Sequence, residues 1–167
     1  MFRYALSLSI VCASVALAQN PLSTEVKASY TRVKNNILKA AEKMPEEAYA
    51  FKPADGMETF GQRLAHIVDS NAGTCGRIKG EQKQIGARSK TSKADLVAAT
   101  KESFAFCDAV FDAMTDADAQ AMIQGRGGQA SKLSSLYGVV AHSNEIYGYI
   151  SVYMRLKGIV PPSSEGR

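Results

Sequence analysis

The feature that most constrains this chain is a helical spacing of apolar residues, which recurs from about residue 22 to residue 157. In four long stretches the apolar side chains return every three or four positions, so each stretch has one apolar face. The sequence contains no run of alternating β-branched residues and no Asn-Gly turn, the usual signs of strands and hairpins. The pattern predicts an all-α protein with the architecture of a four-helix bundle.

Capping residues and breakers set the expected helix boundaries. We predict helices over residues 22–43 and 60–79, a third from Thr91 or Ser92 to near Met114, and a fourth over residues 132–157. Ser23 and Thr59 are the expected N-caps of the first two helices. Residues 115–124 are predicted to form a short helix or turn, and the glycine-rich residues 125–129 a flexible link.

The first twenty residues have the plan of a secretory signal, and they read MFRYALSLSIVCASVALAQN. Arg3 precedes an apolar run that ends at Ala18 in small residues of the kind a signal peptidase recognises. The run is shorter than the about 20 apolar residues that cross a bilayer. We expect residues 1–18 to be cleaved after Ala18, with an uncleaved anchor as the alternative. The mature protein is then exported, to the periplasm or the medium.

The mature part, residues 19–167, is expected to form one domain. Loss of Arg3 lowers the formal net charge from +4 to +3. The basic residues are scattered, without a lysine and arginine block or interleaved aromatic residues, so we expect no nucleic-acid partner. No second long apolar segment follows the signal, so we expect no membrane association after cleavage. Pairing into a homodimer stays open.

Two cysteines remain after cleavage, Cys75 and Cys107. Export places them in an oxidising compartment, where an even number of cysteines favours a disulfide. Each lies on the apolar stripe of its helix, so a bridge between two neighbouring helices is geometrically reasonable. The alternative is a pair of buried free thiols, which pack as small apolar side chains.

The chain has two histidines, His66 on the second long helix and His142 on the fourth. Imidazole is the commonest protein ligand of transition metals, and two histidines four residues apart can bind one ion from the same helix face. One turn after His142, however, stands Ile146, which cannot coordinate a metal. His66 and His142 are the candidate metal ligands. The alternative for His66 is a surface histidine beside Asp69, which could orient it or offer an oxygen ligand.

Glu145 directly precedes the isoleucine and is the candidate third ligand. Two histidines and one carboxylate form a set that holds iron(II) or zinc in other proteins. The alternative for Glu145 is an acid on a helix face, paired with a neighbouring base.

Three segments resemble the DinB/YfiT-like superfamily, a group of four-helix-bundle candidate metalloenzymes. The first is MPEEAYAFKPADGMETFGQRLAHIVDSN, residues 44–71, with a proline-containing connector, a capped helix start and a helical histidine. The second is AHSNEIYG, residues 141–148. The third is YMRLKGIVPPSS, residues 153–164, similar to a closing Tyr-x-Arg-x-x-Gly-x-x-Pro-Pro pattern. The resemblance covers essentially the whole mature chain.

The resemblance implies a site of three histidines, one from the second helix and two, four apart, from the fourth. These positions fall on His66, His142 and Ile146, so the chain departs from the family pattern at the third. The implied cofactor is a divalent metal such as zinc, nickel or iron. In relatives with an Asn-Glu-His-Tyr-Gly run, Glu145 would be the neighbour of a ligand and not its replacement.

The resemblance also implies a class of activity, because family activities are mostly thiol-linked. The first hypothesis is an exported, metal-dependent enzyme of thiol-transferase or hydrolase type, with a partly degenerate metal site and a small molecule or thiol as partner. The alternative is a non-catalytic bundle that has lost its metal and serves as a binding or structural module.

Overall fold

Five helices and one hairpin make up the structure, a computed structural model that describes residues 20–125 and 127–166. The helices are α1 (Pro21–Lys43), α2 (Phe60–Lys79), α3 (Lys93–Ala113), α4 (Asp116–Ala119) and α5 (Lys132–Leu156). Short 3₁₀ turns lie at Glu46–Ala48, Ala87–Ser89 and Pro162–Ser164. None of the described helices is long and apolar enough to span a membrane. The predicted signal peptide and its cleavage after Ala18 lie outside the described residues.

The four long helices form a ring in which α2 packs between α3 and α5, and α1 closes the other side against the same two helices. Helices α2 and α3 run parallel, since Val68 contacts Ser103 and Cys75 is joined to Cys107. Helices α2 and α5 run antiparallel, because Tyr153 binds Glu58 at the start of α2. The prediction of an all-α bundle is confirmed.

Local capping explains most of the helix boundaries. Thr59 and Gln62 form a capping box at the start of α2, in which each side chain binds the other residue's backbone N–H at 3.1 and 2.8 Å. At the other end Gly80 adopts the left-handed conformation with φ 86°, which ends the helix at little steric cost. Ser92 caps α3, accepting from the N–H of Asp95 at 3.1 Å.

The prediction that Ser23 caps the first helix is wrong. Helix α1 begins earlier, at Pro21, with Asn20 in the cap position. Proline suits the first helical position because its missing N–H would have no partner there. Ser23 is buried in the first turn, and its hydroxyl donates to the carboxylate of Asp116 at 2.8 Å.

The expectation of no strands and a flexible glycine-rich link is also wrong. Strands β1 (Met122–Gly125) and β2 (Gly128–Ser131) pair antiparallel as a small hairpin between α4 and α5. Gly128 has φ 122°, a conformation that glycine adopts easily and other residues do not. Four residues per strand are too few to show an alternating pattern, so the sequence carried little signal for this element.

The core lies along the centre of the ring and includes the disulfide. Tyr30 of α1 stacks on Phe111 of α3 with ring centroids 3.9 Å apart, and both are buried. Cys75 and Cys107 are fully buried and bonded to each other, with their Cα atoms 5.4 Å apart. The bond crosslinks α2 and α3, and the disulfide that the even cysteine count favoured is present in the structure.

Candidate functional site

The two histidines face each other across the antiparallel helices α2 and α5. Nε2 of His66 lies 3.1 Å from Nε2 of His142, and the two rings are nearly perpendicular, at 84°. Both residues are partly buried. One turn further along α2, the buried amide of Asn71 donates to the hydroxyl of Ser143 at 3.2 Å, which fixes the two helices at this spacing.

A third basic residue, Arg88, reaches the pair from the turn Ala87–Ser89. Its guanidinium binds Nδ1 of His66, on the side of the ring away from His142. Asp69 holds this turn in place, because its carboxylate accepts the backbone N–H groups of Ala87 at 2.9 Å and of Arg88 at 3.2 Å. Asp69 therefore acts on His66 indirectly, by positioning Arg88.

The hydrogen bonds assign the imidazole protons. A guanidinium only donates, so Nδ1 of His66 must accept, and the proton of this neutral ring is on Nε2. Nε2–H of His66 then donates to Nε2 of His142. The proton of a neutral His142 is left on Nδ1, which lies 3.3 Å from the hydroxyl of Ser70. The result is a chain of donors that runs from Arg88 through both histidines to Ser70.

The surroundings of His66 favour its neutral form. Burial lowers the pKa of His66 below its usual value, and the neighbouring His142, Arg88 and Arg63 lower it further. Glu58 acts in the opposite direction, and it also forms an ion pair with Arg63 at 3.2 Å. A neutral ring at neutral pH agrees with the proton assignment.

The other predicted site residues lie apart from the pair. Glu145 is exposed on α5, whereas Ile146, at the position of the family's third histidine, is 2% exposed and packs in the core. Within residues 20–125 and 127–166, no three His, Cys, Asp or Glu residues form a cluster that could hold a metal ion. The structure therefore brings together His66 and His142 but adds no third ligand among these residue types.

The arrangement does not fit the metal site that the resemblance implies. A histidine that binds metal through Nε2 carries its proton on Nδ1 and donates it to an acceptor such as a carboxylate or a carbonyl. In this protein Nδ1 of His66 accepts a hydrogen bond from Arg88. Nε2 therefore carries the ring proton and has no lone pair that could bind an ion. Arg88 therefore supplies a donor at the atom of His66 where a metal-binding histidine requires an acceptor.

An open cavity of about 440 Å³ continues the groove between α2 and α5 beyond His142. Its walls come from the C-terminal half of α2, the hairpin and the first three turns of α5, with Arg77, Gln129, Ser134 and His142 among the lining residues. Sequence reasoning did not identify Arg77, Arg88 or the cavity. Arg88 lies outside any periodic segment, and only Gly86, two positions before it, hinted at a turn.

Comparison with known proteins agrees with the fold. A crystal structure of a DinB-like protein from Bacillus cereus ATCC 10987 is 20% identical, with a TM-score of 0.73 over 83% of this chain and 95% of that one. A DinB-like protein from Bacillus subtilis, YjoA, is also 20% identical, with a TM-score of 0.67 over 80% and 92%. No curated protein matches with significant similarity. The sequence profile of the DinB superfamily matches residues 29–150. The chain belongs to the DinB superfamily.

Proposed function

We propose that this protein is an exported, metal-independent bundle of the DinB superfamily that binds a small molecule in the groove between α2 and α5. The observation that carries the proposal is the hydrogen bond from Arg88 to Nδ1 of His66. It places a permanent donor where a metal-binding histidine needs an acceptor. Ile146, at the family's third ligand position, supports the same conclusion.

Charge supports the proposal as well. Arg88 and Arg63 both act on His66, and Glu58 is the acid that opposes them. A divalent ion beside His66 would meet the positive charge of two arginines, which the carboxylate of Glu58 offsets only in part. The histidine pair is better suited to fix the groove, since each ring holds the other and Ser70 in place.

The second candidate is the metal-dependent thiol transferase or hydrolase that the resemblance implies. One observation favours it, the separation of 3.1 Å between the two Nε2 atoms. Two nitrogens on one tetrahedral zinc, each about 2.0–2.1 Å from the ion, lie about 3.3–3.4 Å apart. The pair would therefore need little movement to share an ion if Arg88 moved away and the Nε2 proton were lost.

Metal content separates the two candidates. The mature chain, purified without a histidine tag and dialysed first against zinc and then against buffer, is analysed by inductively coupled plasma mass spectrometry. We expect far less than one ion per chain. Near-stoichiometric zinc, nickel or iron would overturn the metal-independent proposal, and His66→Gln and His142→Gln variants would then show whether the ion is bound by the pair.

Export is supported by the amino-terminal sequence and is compatible with the disulfide between Cys75 and Cys107. Disulfides persist mainly in oxidising compartments. The test is the intact mass of the protein expressed from the full-length gene and recovered from the periplasm or medium. We expect a chain that begins at Gln19. Recovery of only full-length protein in the cytoplasm would overturn this part of the proposal.

A further inference from the structure

Helix α5 is apolar on its exposed side as well as on its buried side. Three of its 25 residues carry a full charge, against seven of 23 in α1. On the exposed side of its C-terminal half Tyr149 is 38% exposed, Val152 54% and Leu156 58%. A helix that is apolar all round is normally covered on every side. We call this surface the α5 face; it comprises Glu145, Gly148, Tyr149, Val152, Arg155 and Leu156.

We propose that the α5 face is the contact surface of a homodimer. In it, α5 packs antiparallel against α5 of a second copy, about a two-fold axis at the level of Ile150. This inference goes beyond the proposed function and does not depend on it. A two-fold axis brings the same surface of both copies together, so that surface must be complementary to itself. The α5 face meets this requirement in its charges and in its shape.

The charges of the α5 face are spaced to pair across such an axis. Glu145 and Arg155 lie five positions on either side of Ile150, about 15 Å apart along the helix and about 80° apart around it. In an antiparallel pair centred at Ile150, Glu145 of each copy lies at the level of Arg155 of the other. Two ion pairs of opposite direction then form together, which fixes both the register and the orientation of the helices.

Both charged side chains are accessible for this pairing. Glu145 is exposed, and among the described residues its side chain has no hydrogen-bond or ion-pair partner. Arg155 is also exposed and donates to the hydroxyl of Ser164 at 3.0 Å. A guanidinium has five N–H donors, so Arg155 can keep this bond and bind a carboxylate of the second copy.

The shape of the α5 face is complementary about the same axis. Gly148 and Val152 lie two positions on either side of Ile150, so Val152 of one copy comes to the level of Gly148 of the other. A Cβ atom at Gly148 would meet nothing within 4 Å, so this position is open to a second helix. A branched side chain over a glycine lets two helices approach closely, and the contact withdraws the neighbouring Tyr149 and Leu156 from water.

A lipid surface is the other occupant to weigh for an exposed apolar face. Helices that lie in a membrane interface carry their charges on the opposite, polar side. On α5 the acid Glu145 stands among the exposed apolar residues, so insertion into lipid would bury an unpaired carboxylate. A second copy of the chain supplies the cation that lipid tails lack. The charges therefore favour the homodimer.

The first test is sedimentation velocity of the mature chain over a wide range of concentration. We expect a reversible equilibrium between monomer and dimer. Val152→Glu should weaken dimerisation about tenfold or more, because it places an unpaired carboxylate at the centre of the contact. Met122→Glu is the matched control, at an apolar hairpin residue that is 60% exposed and lies outside the α5 face, and it should leave dimerisation unchanged. Circular dichroism checks that each variant is folded.

Exchange of charges tests the register. Glu145→Arg and Arg155→Glu each place like charges opposite one another in a homodimer, so each should weaken self-association about tenfold or more. An equimolar mixture of the two variants should dimerise about as well as the natural chain, because every contact then joins a cation to an acid again. Glu47→Arg, at an exposed acid of the turn Glu46–Ala48, is the control and should have no effect.

The proposal is overturned if the mature chain stays monomeric at every concentration, or if Val152→Glu dimerises as tightly as the natural chain. It is also overturned if the mixture of Glu145→Arg and Arg155→Glu associates no better than either variant alone, because the two-fold register would then be wrong. Binding of the chain to vesicles of neutral phospholipid, without self-association, would make lipid the occupant of the α5 face and reject the homodimer.

Discussion

The Nε2 atoms of His66 and His142 lie 3.1 Å apart across two antiparallel helices, while Arg88 donates to the far side of the first ring. The first distance alone suits either a shared metal or a hydrogen bond. The donor on Nδ1 favours the hydrogen bond, because a neutral imidazole that accepts on one nitrogen carries its proton on the other. In the structure the pair is a hydrogen-bonded unit.

The tautomers of the two rings are the first prediction. At pH 8, above the usual imidazole pKa of about 6.5, we expect the Nε2–H form for His66 and the Nδ1–H form for His142. Long-range ¹H–¹⁵N NMR of the rings distinguishes the two forms. Arg88→Ala should allow His66 a mixture of tautomers, and Asp69→Ala should have a similar effect by loosening the turn that presents Arg88.

Arg32→Ala is the matched control for this measurement. Arg32 is an exposed arginine on α1 that donates to Ser29, so its loss should leave both tautomers unchanged. If His66 carried its proton on Nδ1 in the unaltered protein, Arg88 would have to lie elsewhere in solution. The main argument against a metal would then disappear.

Rebuilding the metal site is the second prediction. Ile146→His restores the third family ligand, and adding Arg88→Ala removes the opposing donor from His66. We expect zinc affinity to rise from the natural chain to the single variant. It should rise again by about tenfold or more in the double variant, since groups that hydrogen-bond to metal ligands change metal affinity by that order. Competition with a chromophoric chelator measures each affinity.

The control pairs Ile146→His with Arg32→Ala. It should bind zinc like the single variant, because Arg32 is remote from the histidines. The double variant with Arg88→Ala could instead bind zinc no more tightly than Ile146→His. Arg88 would then not be what opposes the metal, and the positions of the ligands alone would have to explain why the natural chain binds zinc weakly. Circular dichroism of each variant checks that a histidine at this buried position leaves the bundle folded.

The long helices could be predicted from the sequence because their signals are local. Caps such as Thr59 and stops such as Gly80 act within a few residues of the boundary they set. The helical spacing of apolar residues over about twenty residues also leaves little ambiguity between a helix and a strand. Ser23 shows the limit of this reasoning, since its role depends on Asp116, a partner 93 positions away in the chain.

The candidate site could be predicted only in part, for the same reason. Histidines are rare in this chain, so His66 and His142 stood out, and antiparallel packing of their helices brings them together. The role of Arg88 depends on Asp69 holding a non-periodic turn 18 residues later. Neither spacing nor composition shows such a contact. The cavity is likewise formed by a hairpin whose strands are too short for a pattern.

The disulfide supplies the third prediction. The loop closed by Cys75 and Cys107 spans 32 residues, for which the chain-entropy model gives about 3–4 kcal/mol of stabilisation. We expect the Cys75→Ala/Cys107→Ala double variant to lose about this much free energy of unfolding in urea. Unfolding and refolding the natural chain in dithiothreitol should produce a similar loss, and the double variant should not respond to the reductant. Equal stability of both proteins would contradict the crosslink.

The carboxylate of Asp116 supplies the fourth prediction, which concerns acid. It accepts from the backbone N–H of Ser23 at 2.8 Å, from the Ser23 hydroxyl at 2.8 Å and from the N–H of Leu22 at 3.1 Å. Desolvation acts to raise the pKa of Asp116, but these hydrogen bonds outweigh it and hold the pKa below the ordinary 3.8. The charged carboxylate thus ties the first turn of α1 to α4.

The direction of the pH effect follows from this lowered pKa. As the pH falls, the Asp116 carboxylate is protonated first in the unfolded chain, near pH 3.8. The stability that Asp116 contributes is therefore complete above that pH and is lost as the pH falls through the folded-state pKa. We expect Asp116→Asn to be less stable than the natural chain near neutral pH and the difference to vanish in acid, measured by urea unfolding at several pH values. Asp55→Asn, at a fully exposed acid, is the control and should change stability little at any pH. A difference for Asp116→Asn that stayed constant into acid would mean that the carboxylate acts by its shape and not by its charge.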